Sequence, residues 1–135
     1  TATPPCAHVV LASSGAPFEV LGRHPLYGAS ETFILPRGSG GRLPMLTTLD
    51  LLASYKFGPV ELSASIFNLL NTRTPTNVDQ QYTLDRVMPI TNGSIADLTT
   101  LKNTDANPVT RNPNFGNPTA YQAPLYMRLG LRIAF

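Results

Sequence analysis

The sequence predicts an all-β chain whose longest strands are wall strands of a transmembrane β-barrel, and three observations carry that prediction. The last stretch alternates without a break: Leu125, Met127, Leu129, Leu131, Ile133 and Phe135 are apolar, while Tyr126, Arg128, Gly130, Arg132 and Ala134 between them are polar, small or amphipathic. Period-two alternation of this length puts one face of a strand against an apolar phase, and about 9–11 residues is what a tilted strand needs to cross a bilayer. A second alternation, between Thr47 and Asn68, changes phase across Gly58-Pro59. Third, only 13% of the 135 residues are charged while Gly and Pro number 10 and 13, a balance that suits strands joined by long loops.

The amino-terminal third is the least regular. His8–Ala12 holds a short apolar run, Val9 to Leu11, that reads as the end of a strand before Ser13-Ser14-Gly15. From Phe18 to Ser30 the residues Gly22, Pro25 and Gly28 interrupt every period, which predicts loop, and Glu31–Leu35 reads as a short extended piece. Arg37-Gly38-Ser39-Gly40-Gly41-Arg42 is a flexible basic connector. It lacks the GxGxxG spacing and the Gly-Lys-Ser/Thr ending of phosphate loops, so a surface loop is its reading. Residues 1–45 are therefore assigned as a candidate strand end and an extracellular loop.

Residues 46–71 predict a hairpin. Leu49, Leu51, Ala53, Tyr55 and Phe57 occupy odd positions and Val60, Leu62, Ala64 and Ile66 even ones. A two-residue turn at Gly58-Pro59 puts both sets on one face, pairing Phe57 with Val60, Tyr55 with Leu62, Ala53 with Ala64 and Leu51 with Ile66. Thr48, Asp50, Ser54 and Lys56 then share the opposite face with Glu61, Ser63 and Ser65, and Lys56 lies across from Glu61. Asp50, Lys56, Glu61, Arg128 and Arg132 are the residues expected to face a lumen, where pairing with neighbouring charges is the simplest role for the arginines.

Residues 72–123 form one connection far longer than an ordinary loop of about 4–6 residues, so they carry structure or function of their own. Val78–Ile90 alternates in part and reads as an extension of the strand. Ser94 with Asp97 three residues on resembles an N-cap, and Ile95, Leu98 and Leu101 are spaced for one face of a short helix. Asn103, Asp105 and Asn107 have the spacing of a calcium loop, but Pro108 stands where glycine belongs and Asn114 where the bidentate glutamate belongs, which favours Asx-type turns.

No catalytic or cofactor site emerges, and no enzyme is expected. His8 and His24 lack ligand spacing with Cys6, no GxSxG elbow is present around Ser39, and Asp79, Asp85 and Asp97 read as solvated loop carboxylates. A single cysteine allows no internal disulfide. The net charge of +2 is spread over scattered basic residues without interleaved stacking aromatics, which argues against a nucleic-acid partner. No apolar run approaches the roughly 18 residues of a spanning helix.

Four positions of the ending, Arg128, Gly130, Ile133 and Phe135, resemble the terminal signal that the barrel-assembly machinery reads in bacterial outer-membrane barrels. Arg42-Leu43-Pro44 before Leu49-Asp50-Leu51, the stretch Phe67-Asn68-Leu69-Leu70-Asn71, and Tyr121-Gln122-Ala123-Pro124 before the last strand are similar to the carboxy-terminal part of TonB-dependent receptors. The Arg37–Arg42 connector and the very long last loop resemble the OmpA-related (Oar-like) branch of that family. The resemblance implies a segment of an outer-membrane transporter in which residues 124–135 are the terminal strand and assembly signal. It implies partners as well: the rest of the barrel, outer-membrane lipid, the assembly machinery, and TonB acting through a plug outside this chain. It also implies an orientation, with the turn at 58–59 and Phe135 periplasmic and residues 18–45 and 72–123 extracellular.

Three or four strands cannot close a barrel, and open edges in lipid cost several kcal/mol per unpaired amide. The chain is therefore expected either to be a piece of a longer receptor or to share a barrel with other copies or chains. A structural or adhesive outer-membrane β-protein and a soluble secreted β-sandwich are the other readings.

Overall fold

In a computed structural model, described over residues 6–28 and 33–134, the chain is built almost wholly of strands. These are β1 (Cys6–Ser13), β2 (Pro17–Phe18), β3 (Leu21–Arg23), β4 (Gly41–Arg42), β5 (Leu46–Phe57), β6 (Val60–Phe67), β7 (Pro75–Val78), β8 (Gln81–Arg86), β9 (Pro118–Tyr121) and β10 (Tyr126–Ile133), with one 3-10 helix, Ile95–Thr100. Two compact units result, one made of Thr1–Ser14, Met45–Thr74 and Tyr121–Phe135, the other of Gly15–Pro44 and Pro75–Ala120.

The first unit is a four-stranded antiparallel sheet in the order β1-β5-β6-β10. Its central hairpin has the register that the phase change demands: Phe57 faces Val60, Tyr55 faces Leu62, Ala53 faces Ala64 and Leu51 faces Ile66. Gly58 makes the turn possible, because its φ of +58° is one that a side chain disfavours and that glycine adopts freely. On the other flank of β6, Ile133 pairs with Val60, Leu131 with Leu62, Leu129 with Ala64 and Met127 with Ile66. Apolar side chains therefore line up in rows across β5, β6 and β10. The run at Val9 to Leu11 proves to be part of a full strand, with Val10 opposite Leu49 and Ser13 opposite Leu46.

This sheet does not close. Among the described residues β1 and β10 pair with one strand each, so each presents one open edge. Its apolar face is bare as well, Phe57 being 76% exposed, Leu129 71% and Leu131 63%. A water-facing patch of this kind is an aggregation hazard, whereas in a barrel wall it is the lipid face. The twelve residues of β5 extend about 40 Å, and tilted by about 45° they cover about 29 Å, close to a hydrocarbon core of about 30 Å. Ala134 donates its amide to the Pro59 carbonyl at 2.8 Å, so the end of β10 lies beside the tight turn.

The second unit corrects the sequence reading of 18–30 as loop and of Val78–Ile90 as an extension of the β6 strand. β3 pairs in parallel with β8, β2 pairs antiparallel with β4, and β7 lies beside β9. Behind them lies a core of Val20, Ile34, Leu35 and Val87, each at most 2% exposed, joined by Tyr82, Leu98 and Leu101. Gly22 is required by close approach, since a Cβ there would stand 2.7 Å from Ile34 Cδ1 and 2.9 Å from Val87 Cγ2. Phe115 packs edge-on against Tyr82 with ring centroids 5.2 Å apart. The Arg37–Arg42 connector is a tied turn: Gly38 donates its amide to Glu19 Oε2 at 2.7 Å and Gly40 donates to the Phe18 carbonyl at 3.1 Å. Of the predicted extended piece Glu31–Leu35, residues 31 and 32 lie outside the described residues.

The loop carboxylates also differ from the expectation of solvated groups. Asp79 accepts from the Gln81 amide and from Asn112 Nδ2, both at 2.9 Å, and Asp85 accepts from the Thr110 amide at 2.6 Å. Each thus ties chain segments that are distant in sequence. Asn103 Oδ1 accepts from the amides of Asp105 and Asn107 at 3.0 and 2.9 Å, which is the Asx-turn alternative of the two read from that spacing. His24 Nδ1 accepts from the amides of Leu26 and Tyr27 at 3.1 and 3.3 Å and so shapes its own turn.

The predicted cap is present at the 3-10 helix, where the Asp97 carboxylate accepts from the Ser94 amide at 2.7 Å and from its hydroxyl at 3.0 Å. Leu98 and Leu101 of the predicted face are buried, whereas Ile95 is exposed. The hydrogen bonds from the Ser94 amide and hydroxyl hold the Asp97 carboxyl below its ordinary value of 3.8. A carboxyl depressed in the folded state contributes stability above its unfolded pKa and loses it as pH falls through the folded value. Amide protection factors at residues 94–100, taken relative to the intrinsic exchange rate at each pH, are accordingly expected to be highest at neutral pH and to fall below about pH 4. Substituting Asp97→Asn should remove that pH dependence, and an unchanged profile would refute the cap as its source.

Candidate functional site

Polar residues of the wall sheet gather in two places, and register decides which. Lys56 faces Glu61 across β5 and β6, and Glu61 faces Arg132 across β6 and β10, so three of the residues expected to face a lumen form one transverse row with the acid in the middle. Arg128 lies four residues back along β10 from Arg132, opposite Ser65. Asp50 is not part of this row. It stands near the other end of the sheet, where its Oδ1 accepts from the Asn68 amide at 2.9 Å.

Of the four residues read as an assembly signal, Gly130 sits opposite Ser63, whose hydroxyl lies where a Cβ at 130 would go. Ile133 sits opposite Val60 on the apolar face and Arg128 on the polar face, while Phe135 lies outside the described residues. Reversing the central charge of the row is a direct test of the register. Glu61→Lys sets three cations side by side and should cost about 0.5–1 kcal/mol relative to Glu61→Gln, read as a lower denaturant midpoint. An equal midpoint would show that the row does not act as a unit.

The second gathering is a corner that sequence reasoning did not recognise as a site. As β6 ends, Asn68 and Asn71 adopt φ of +51° and +50°, the left-handed region that asparagine tolerates best after glycine. Asn68 is 4% exposed and uses its whole side chain. Nδ2 donates to the carbonyls of Thr72 and Ala123 at 2.9 and 2.8 Å, and Oδ1 accepts from the Thr72 amide and hydroxyl at 3.1 and 3.0 Å. Asn71 Oδ1 accepts from the Leu125 amide at 3.1 Å, and the Leu69 amide donates to the Leu49 carbonyl at 2.8 Å. Gln122 Nε2 donates to the Thr47 carbonyl at 3.1 Å. The corner therefore binds the entry of β10 to the exit of β6 and the start of β5. Its signal in the sequence is a pair of asparagines three residues apart directly after an alternating strand, in the stretch Phe67–Asn71, together with Tyr121–Pro124 before the last strand.

Next to that corner, within the same unit, is a cavity of about 380 Å³ lined by Asn71, Thr72, Arg73, Tyr121, Gln122 and Pro124. The Arg73 guanidinium carbon stands 5.0 Å above the centre of the Tyr121 ring. Among the described residues no group of three or more His, Cys, Asp or Glu side chains could hold a metal, and no helix is long and apolar enough to cross a membrane.

Antiparallel strands with one bare apolar face, one polar face and two open edges have the build of a membrane β-barrel wall, a partial barrel that further strands must complete. Comparison with known proteins agrees: over an alignment that takes in 91% of its length, the chain is 38% identical to the TonB-dependent transporter Oar of Myxococcus xanthus. The match takes in 13% of that transporter, so the chain corresponds to a short segment of it. No family model matches the chain, and no solved structure matches it.

Proposed function

We propose that the chain supplies wall strands, an assembly signal and a folded surface unit to a TonB-energised transporter of the bacterial outer membrane. The observation that carries this reading is the conjunction of a long match to a TonB-dependent transporter with a sheet whose apolar rows are bare and whose edges are open. The hairpin turn at Gly58-Pro59 is then periplasmic, and the segments 15–44 and 75–120 leave the opposite end of the sheet toward the cell exterior. Lys56, Glu61, Arg128 and Arg132 face the lumen. Arg128, Gly130, Ile133 and Phe135 are recognised by the assembly machinery, and the plug and the TonB contact are provided outside this chain. This assigns the segment to transport and away from catalysis; a structural or adhesive role is the second reading, favoured by the size of the surface unit.

Deleting Phe135 tests the assembly part. The protein should be synthesised normally but reach the outer membrane in much reduced amount, measured as the heat-modifiable folded band in outer-membrane fractions. Undiminished assembly would overturn the signal. Fractionation of the native particle tests the transporter part, because a plug-bearing barrel should accompany these strands.

A further inference from the structure

We propose that the cavity beside the Asn68 corner binds the phosphate group of an amphiphile, with Arg73 as its ligand-binding cation and Tyr121 as the platform that holds it. The wall reading supplies the membrane in which such an amphiphile would be met, but the anion site itself rests on side-chain geometry. Arg73 is exposed, holds its guanidinium over the Tyr121 ring, and has no hydrogen bond or ion pair among the described residues. A guanidinium stacked on an aromatic ring keeps its N–H edge free, and that fork matches two oxygens of a phosphate.

The rest of the lining suits an anion as well. None of the six residues is a carboxylate, so Arg73 is the only charge in the cavity. Asn71 uses its Oδ1 to accept from Leu125, which leaves the Nδ2 donor over, and Gln122 spends one amide hydrogen on the Thr47 carbonyl and keeps the other. Donors thus outnumber free acceptors around about 380 Å³, room for a phosphate with the group that carries it.

The amphiphile follows from what flanks the donors. Leu70 directly precedes Asn71 and is 65% exposed, and Leu125 directly follows Pro124 and is 44% exposed. Bare leucines adjoining two of the lining residues in the chain, together with the Arg73 cation, fit a ligand with an anionic head and an apolar tail. A phosphorylated lipid headgroup at the outer end of the wall has that chemistry.

The test uses the chain in the membrane assembly that holds it, purified into nanodiscs of phosphatidylcholine with and without phosphatidic acid, and native mass spectrometry to count retained lipid. Phosphatidic acid should stay bound, and Arg73→Gln should reduce its retention at least about tenfold, since a charge-assisted pair is lost. Tyr121→Leu should weaken it and Tyr121→Phe should not. A parallel titration with inorganic phosphate, followed by phosphorus NMR, separates the sources. Binding of inorganic phosphate that depends on Arg73, with no preference for phosphatidic acid, would keep the anion site and refute the lipid as its source. Equal retention and equal phosphate binding in wild type and Arg73→Gln would overturn the proposal. If the chain does not enter nanodiscs at all, the wall reading fails, while the phosphate titration in buffer still decides the site.

Discussion

Asn68→Ala is expected to lower the stability of the folded sheet by about 3–5 kcal/mol. The sum has two sources: about 2–3 kcal/mol in all for the part-buried polar groups that lose their partner, and about 1–2 kcal/mol for holding a Cβ-bearing residue other than asparagine in the left-handed region. The groups at stake are the Ala123 carbonyl and the Thr72 amide and carbonyl, which now meet one side chain, whereas the Thr72 hydroxyl also has the Thr47 carbonyl within 3.0 Å. A series separates the causes. Asn68→Gly restores the backbone preference and should recover only about 1–2 kcal/mol of the loss. Asn68→Asp keeps the acceptor but places a carboxylate against two carbonyls, and should be nearly as damaging as alanine. Denaturant midpoints of the assembled protein, with the heat-modifiable band as a second readout, decide the matter. A change of less than about 1 kcal/mol for alanine would show that the corner is incidental, because a single ordinary hydrogen bond accounts for that much.

The second large effect is expected in the other unit. Ile34→Ala should cost about 3–4 kcal/mol, because Ile34 is 1% exposed and its side chain is enclosed by its neighbours, so its removal leaves a cavity as well as losing transfer energy. Ile34→Val, which removes one methylene, should cost about 1 kcal/mol. The damage should be local to Gly15–Pro44 and Pro75–Ala120, since that unit has its own core. Limited proteolysis reads the distinction: cleavage should rise in those segments while the β5–β6 hairpin stays protected. Coincident loss of protection in both would show that the two units unfold together.

How much of this was legible beforehand depends on how far apart the partners are in the chain. The hairpin was legible residue by residue, because two residues of turn tie β5 to β6 and a phase change in the alternation allows only one register. The final strand was legible for the same reason of period, although its place beside β6 became visible only with Met127 opposite Ile66. The run before Ser13 gave only a strand end, since a short apolar run without alternation shows neither a face nor a partner more than thirty positions away.

Of the second unit only local features could be read, the Ser94–Asp97 cap, the buried Leu98 and Leu101 and the Asn103 turn. Its core joins Val20 and Ile34 to Val87, Leu98 and Leu101, and its strands are two to six residues long, too short to show a period. Gly22 looked like an interruption when it is a contact that admits Ile34 and Val87. The Asn68 corner stayed hidden because its meaning lies in the Ala123 carbonyl, 55 residues away.

By itself the sequence determined the alternation, and with it which residues share the apolar face of the wall and which share the polar one. That follows from the two-residue repeat of a strand, a local property of the chain. Only the tertiary structure decided that Arg132 joins the Lys56–Glu61 pair, that the long loops fold around one core, and that two asparagines fasten the last strand to the sheet. Those outcomes depend on closing loops of tens of residues, and no local pattern of side chains encodes the partner at the far end.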